Sequence, residues 1–215
     1  MTSANFEKAL VALSNRKFFK NISISRGIER EALRSNLNGV ISKTPHPKSL
    51  GSALTNPFIT TDFAEALIEM VTPTFDTVEG LHSFLENLDF FVKENLNDEI
   101  LWNASMPCEL GDEKQIQIAE YGVSNTGRLK NIYRRGLRER YGSAMQCVSG
   151  IHYNFSLSKK SWQDFLNQNE SNQAEIDKAY FGLIRNVKRN YWLIAYLFGA
   201  LSLIHISEPT RPVMI

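Results

Sequence analysis

Strand-like and helix-like segments follow one another along the chain without the regular alternation that builds a parallel sheet. Short apolar or alternating segments bounded by turn residues predict strands over residues 22–31, 66–73 and 146–157. Apolar stripes at helical spacing predict the helices, which cover residues 4–20, 77–96, 124–141, 159–168 and 173–200. The segment 42–57 is rich in Pro, Gly, Ser and Thr and predicts a loop. This order indicates the α+β class, an antiparallel sheet with helices packed on it.

Composition indicates a globular protein of a reducing compartment. Lys plus Arg (24) almost balance Asp plus Glu (23), so the net charge of +1 favours neither nucleic acid nor an anionic membrane as a partner. Cys108 and Cys147 are too few for a disulfide framework. The N-terminus lacks the pattern of a secretion signal. We therefore expect a cytoplasmic protein.

An apolar run and a basic helix each allow more than one interpretation. The apolar run 191–206 has sixteen residues, and because a membrane-spanning helix needs about 20, a core helix is favoured. The helix 124–141 carries arginines on one side, which favours a solvated face over a phosphate-binding or nucleic-acid-binding face. Its apolar side, expected to face the core, consists of Leu129, Ile132, Tyr133, Leu137 and Tyr141.

Several carboxylates occur in strand-like segments. Glu29 and Glu31 are two residues apart, so they lie on the same face of a strand, and Asp62 follows the short segment "ITT". Glu69 lies inside the apolar run "ALIEMV", where a carboxylate is costly to bury unless it is paired or bound to a metal ion. His152 lies on the polar side of another strand. Spacing alone leaves two alternatives open, a solvated face or a site for Mg²⁺ or Mn²⁺, and favours the first.

Six long motifs occur in an order that is typical of one enzyme family. They are "RGIEREALR", "HPKSLGSALTNPFITTDFAEALIEMVTP", "LWNASMPCEL", "AEYGVSNTGRLKNIYRRGLRERYG", "MQCVSGIHYNFSL" and "YLFGA". Together they closely resemble bacterial glutamate–cysteine ligase (γ-glutamylcysteine synthetase) of the proteobacterial type. The resemblance covers about residues 20–200.

This resemblance implies a fold, a reaction and a set of site residues. The fold would be a glutamine-synthetase-like curved antiparallel sheet, here truncated. The reaction would use ATP with Mg²⁺ or Mn²⁺ to join L-glutamate to L-cysteine through a γ-glutamyl phosphate, in the first step of glutathione biosynthesis. The metal ligands would be Glu29, Glu31, Asp62, Glu69 and His152. The substrate-binding residues would be Phe63, Tyr133, Leu137 and Gln146, with Arg134 nearby. No side chain of this chain is expected to act as a covalent catalyst, and the two cysteines are expected to be buried packing.

The resemblance stops at residue 200. The following segment, "LSLIHISEPTRPVMI" (201–215), resembles the translation of a transposon-type sequencing adapter. Because enzymes of this type are much longer, we expect residues 1–200 to be the N-terminal part of a catalytic domain, inactive alone, with a non-native tail. Two alternatives remain open: a natural short protein that keeps half of the fold as a binding or regulatory module, and a related ligase with another amine acceptor.

Overall fold

The computed structural model describes residues Glu7, Val11 and Ser14 and the ranges 22–166 and 172–198. The helix predicted over 4–20 lies mostly outside the described residues, although Glu7, Val11 and Ser14 are helical. The segment 201–215 also lies outside them. The chain divides into two compact units, and one of them is Ser23–Ser156. The other includes the residues from Leu157 onward.

A five-stranded antiparallel sheet forms the centre of the first unit. Its order is β2-β3-β1-β4, and β5 also pairs with β1. The strands are β1 (Ile24–Asn36), β2 (Ile59–Thr61), β3 (Leu67–Val71), β4 (Glu99–Trp102) and β5 (Ile151–Leu157). The predicted α+β class is therefore confirmed. The strands β2 and β4 were not predicted. The strand predicted from residue 146 begins only at Ile151, after a 3₁₀ turn over Ala144–Cys147.

One helix covers one face of this sheet. Helix α1 (Val78–Glu94) begins where predicted, after Thr77, whose side chain accepts a hydrogen bond from the Gly80 N–H. Its residues Leu88 and Val92 pack in one core cluster with alternate residues of β1 and β3, namely Ala32, Ile68 and Met70. Because side chains alternate along a strand, the opposite face of the sheet carries Glu29, Glu31 and Glu69.

A second core cluster lies on that opposite face, next to the carboxylates. It contains Leu33, Leu67 and Phe63 together with both cysteines. Cys108 and Cys147 are buried, unpaired thiols. Burial, followed by the neighbouring Cys108, raises the pKa of Cys147 to about 12, so its thiol stays protonated and inert. The prediction that the cysteines serve as packing is confirmed.

The expected core contact of the basic helix is wrong. Helix α2 (Asn125–Tyr141) begins after its predicted cap Ser124. Its apolar side is nevertheless exposed at Leu129, Ile132, Tyr133 and Tyr141, and only Leu137 packs partly against the second core cluster. Hydrophobic periodicity predicts a stripe but not what covers it, and polar contacts described below hold this helix in place.

The second unit contains α3 (Lys159–Leu166) and α4 (Gln173–Phe198). The rings of Trp162 and Tyr180 pack edge to face, with centroids 4.7 Å apart. The core helix expected from residue 191 is wrong for the described part, because Tyr191, Trp192 and Leu197 are exposed. Within the described residues, no helix is long and apolar enough to cross a membrane.

Candidate functional site

Two glutamates face each other across the centre of the sheet. In the antiparallel pair of β1 and β3, Glu31 lies directly opposite Glu69, and Thr60 of β2 is the next residue in the same row. Opposed side chains in such a pair have Cβ atoms roughly 5 Å apart, and like charges at this distance are destabilising. The register therefore concentrates negative charge where a pair of opposite charges would be expected.

The environment of Glu69 reflects this concentration. The pKa of Glu69 is raised from 4.5 to about 7, first by burial and then by the carboxylates of Asp62, Glu31 and Glu29, while Arg134 opposes the shift. In the described part of the chain, the structure shows no hydrogen bond or salt bridge at the Glu69 carboxylate. A half-buried carboxylate without a donor suits a cation.

The strand β5 and Gly150, the residue before it, supply donors to the other two glutamates. Glu31 accepts a hydrogen bond from the Gly150 N–H at 2.7 Å, while its own N–H donates to the Gly150 carbonyl at 2.9 Å. Glu29 lies 3.2 Å from Nδ1 of His152 and accepts a hydrogen bond from Asn154 at 3.1 Å. These contacts orient the two carboxylates on one side of the sheet, with His152 beside them.

The donor set fits a hard divalent cation, since carboxylate oxygens are the ligands that Mg²⁺ and Mn²⁺ prefer. Within the described ranges, however, no three His, Cys, Asp or Glu side chains already converge on one metal position. The structure thus brings Glu29, Glu31 and His152 together and sets Glu69 opposite Glu31. The metal-ligand assignment remains a prediction.

Arg134 links α2 to the segment that carries Asp62. Its Nε donates to the Asp62 carbonyl, and one terminal nitrogen lies 3.4 Å from the Thr61 carbonyl. Its guanidinium also lies over the ring of Tyr121, at 4.8 Å from the centroid. The hydroxyl of Tyr121 donates to the Thr61 carbonyl at 2.6 Å. Arg134 therefore binds backbone in this structure rather than presenting its charge to solvent.

The predicted substrate residues occupy different environments. Phe63 is 1% exposed within the second core cluster, and Leu137 packs partly against the same cluster. Tyr133 is 63% exposed. Gln146 is buried, yet its Nε2 has no hydrogen-bond partner. A buried amide donor of this kind is costly unless a ligand or water accepts its hydrogen bond, which is compatible with the predicted pocket role.

One buried carboxylate escaped the sequence analysis. Both oxygens of Glu65 accept backbone hydrogen bonds at 2.8 Å, one from His46 and one from Glu120. Its signal was the same as that of Glu69, a glutamate within the apolar letters "FAEAL". Glu65 forms part of a cavity of about 620 Å³ between residues 114–120 and α2, a separate feature from the sheet carboxylates.

The comparison with family models decides the affiliation of the chain. The model described as glutamate-cysteine ligase matches residues 8–208. The chain belongs to the glutamate–cysteine ligase family. The predicted resemblance is confirmed.

Curated members of this family are similar over most of the chain. A glutamate–cysteine ligase of Saccharophagus degradans is 51% identical over 181 residues, which are 82% of this chain and 34% of that protein. One from Bordetella petrii is 53% identical over 175 residues, 81% of this chain and 33% of that protein. The chain therefore spans about a third of the length of these relatives.

Two solved structures share the fold of this chain. A glutamate–cysteine ligase of Francisella tularensis in complex with AMP matches with a TM-score of 0.77 and 42% identity, over 84% of this chain and 36% of that one. A bifunctional glutathione synthetase of Pasteurella multocida matches with a TM-score of 0.73 and 33% identity, over 84% of this chain and 24% of that one. The antiparallel sheet with its helices is thus the family fold.

Proposed function

We propose that this chain forms part of an ATP-dependent ligase that joins the γ-carboxylate of glutamate to the amine of cysteine, giving γ-glutamylcysteine. The observation that carries the proposal is the opposition of Glu31 and Glu69, with Glu29 and Asp62 contributing to the same negative field. A sheet that places carboxylates in this way is stabilised by cations, and cations are what a reaction on a triphosphate and a carboxylate requires.

The residues that would hold Mg²⁺ or Mn²⁺ are Glu29, Glu31, Asp62, Glu69 and His152. When bound, such ions neutralise phosphate and carboxylate oxygens so that the γ-carboxylate of glutamate can be phosphorylated. The chain itself keeps the carboxylates in place. Gly150 and Asn154 donate to Glu31 and Glu29, and Arg134 fixes the backbone at Asp62.

The acceptor pocket would lie where α2 meets the second core cluster. Leu137 supplies apolar surface there, packed over the cluster that contains the buried ring of Phe63. Tyr133, one turn before Leu137, is exposed and available to a substrate. The Nε2 of Gln146 is buried and has no hydrogen-bond partner, so it would donate to an acceptor atom of the substrate once the pocket opens to admit it. An apolar pocket would also exclude water, so that the cysteine amine rather than hydroxide captures the activated carboxyl group.

ATP use is supported by the relative from Francisella tularensis, whose structure is a complex with AMP. Because the chain spans about a third of the relatives' length, we expect the 215 residues alone not to form γ-glutamylcysteine. We also keep the assignment of residues 201–215 to adapter read-through as a proposal. Sequencing of the gene past codon 200 tests it.

A chimera tests the function directly. Residues 22–198 replace the matching segment of the Saccharophagus degradans ligase, and product formation is measured with ATP, glutamate and cysteine. We expect activity that depends on all three substrates, abolished by Glu69→Gln and retained by Glu94→Gln, an exposed carboxylate on α1. A folded chimera without activity would contradict the proposal, and preference for another amine would contradict the assignment of cysteine.

A further inference from the structure

Three arginines of α2 lie in two different places. Arg134 turns towards the backbone of Thr61 and Asp62, whereas Arg135 and Arg138 line the cavity of about 620 Å³. Asn131, Arg135 and Arg138 are spaced by four and three residues, so they form one face of the helix. Lys114 lies in the opposite wall of the same cavity.

The charges around this cavity are unbalanced. Its carboxylates are Glu65 and Glu120, and both oxygens of Glu65 are already engaged by the backbone N–H groups of His46 and Glu120. Lys114 and Arg135 make no salt bridge within the described residues, and Arg138 lies 3.4 Å from its neighbour Glu139. Three cations and two carboxylates thus surround a concave space, so its lining carries an excess of one positive charge.

The cavity is open to solvent, since Lys114, Arg135 and Arg138 are exposed. Arginines three residues apart on a helix repel each other unless a carboxylate compensates them. The residue four positions before Arg135 is Asn131, not an acid, and Glu139, four positions after it, lies 3.4 Å from Arg138 instead. Asn131 instead donates to the Ala119 carbonyl at 3.0 Å, which fastens α2 to the cavity wall. The volume lies within the range of small-molecule sites, roughly 300–1,000 Å³.

We propose that this cavity binds a small organic polyanion with at least two carboxylate or phosphate groups, held by Lys114, Arg135 and Arg138. Guanidinium groups bind both kinds of group in a bidentate manner. Glu65 has a structural role in this site, since its carboxylate joins the segments around His46 and Glu120. Binding at this site requires neither ATP nor a metal ion. It can therefore be tested independently of the proposed ligase reaction.

The test uses the full 215-residue chain in buffer without divalent cations. Calorimetric titrations with inorganic pyrophosphate and with citrate distinguish phosphate from carboxylate ligands, and binding of either supports the proposal. We expect Arg135→Gln and Arg138→Gln each to weaken binding roughly tenfold, the effect of losing one charge-assisted contact. Arg128→Gln is the matched control, because Arg128 is exposed on the same helix and outside the cavity lining.

A second measurement does not depend on the variants. Amide hydrogen exchange of residues 114–120 should slow when the bound anion is added and should stay unchanged with chloride at equal ionic strength. The proposal is overturned if the wild-type chain binds neither anion. It is equally overturned if Arg128→Gln weakens binding as much as the cavity variants do, which would indicate general attraction to the basic helix.

Discussion

Glu31 and Glu69 lie opposite each other in adjacent antiparallel strands, on the sheet face not covered by α1. Two like charges in this arrangement destabilise the sheet, and a cation bound between them, as proposed above, would reverse that effect. One substitution should then have opposite effects in the two conditions.

We predict that Glu69→Gln stabilises the chain in EDTA by up to about 1 kcal/mol, since it removes a like-charge cross-strand pair. We also predict that the variant loses most of the stabilisation that Mn²⁺ gives to the unchanged chain. Urea denaturation with and without Mn²⁺ measures both effects. Glu94→Gln, on exposed surface of α1, should change neither, and an equal response to Mn²⁺ in Glu69→Gln would contradict the metal assignment.

Substitution of the two aromatic pocket candidates, Phe63 and Tyr133, should change the free energy of unfolding by very different amounts. Phe63→Ala removes a fully buried ring and should lower the free energy of unfolding by about 3–5 kcal/mol. Tyr133→Ala removes a mostly exposed ring and should change it by less than about 0.5 kcal/mol. In the chimera, Tyr133→Ala should nevertheless raise the KM for cysteine. An unchanged KM would remove Tyr133 from the pocket.

Two glycines of α2 should respond in opposite directions. A Cβ at Gly127 would lie 2.4 Å from the Tyr121 carbonyl oxygen, whereas a Cβ at Gly136 would meet nothing within 4 Å. Gly127→Ala should therefore destabilise the chain strongly. Gly136→Ala should stabilise it by about 0.5–1 kcal/mol, the difference in helix propensity. Thermal denaturation of both variants checks the close approach of α2 to Tyr121, and equal effects would contradict it.

The ion pair of Arg34 and Glu99 is buried, with N and O atoms 2.7 Å apart. Arg34 also donates to the Thr44 side chain and carbonyl. Glu99→Gln leaves the Arg34 charge without a partner and should cost about 3–5 kcal/mol at neutral pH. In a double-mutant cycle, Arg34→Met combined with Glu99→Leu should cost less than the sum of Arg34→Met alone and Glu99→Leu alone. Additivity in this cycle would contradict a direct coupling.

The same pair predicts an acid dependence. Burial disfavours the charge of Glu99, but hydrogen bonds from Ser42 and Thr44 and the charge of Arg34 outweigh it and lower its pKa below 4.5. Its contribution is therefore present above the unfolded-state pKa and is lost as pH falls through the lower folded-state value. The difference in unfolding free energy between the unchanged chain and Glu99→Gln should shrink below about pH 4.5. A constant difference down to pH 2 would contradict this.

The sequence predicts local features of this fold well. Helix α1 follows from its stripe and from Thr77, and Glu69 stands out because a carboxylate in an apolar run is costly. The opposition of Glu69 to Glu31 could not be predicted, because register depends on the whole sheet. The strand β1 extends beyond its predicted end to Asn36, where Arg34 is buried by contacts with residues 10 to 65 positions away.

Other parts escaped for related reasons. The four residues of β4 form a strand through pairing with the end of β1, and a segment this short carries little periodicity of its own. The apolar side of α2 is exposed because its arginine and glycine contacts, not its stripe, fix its position. The basic cavity could not be predicted from the sequence, because residues 114–120 and α2 come together only in the folded chain.

The two thiols of the second core cluster can serve as built-in probes of local opening of the sheet. They are the only cysteines in the sequence, and both lie out of solvent beside Phe63. A thiol reagent can reach them only when that face of the sheet opens, so the labelling rate of the unmodified chain converts into an opening free energy. Every substitution considered above leaves both cysteines in place, so the labelling rates of the variants can be compared directly. A ligand that stabilises this face of the sheet should slow the labelling of both thiols.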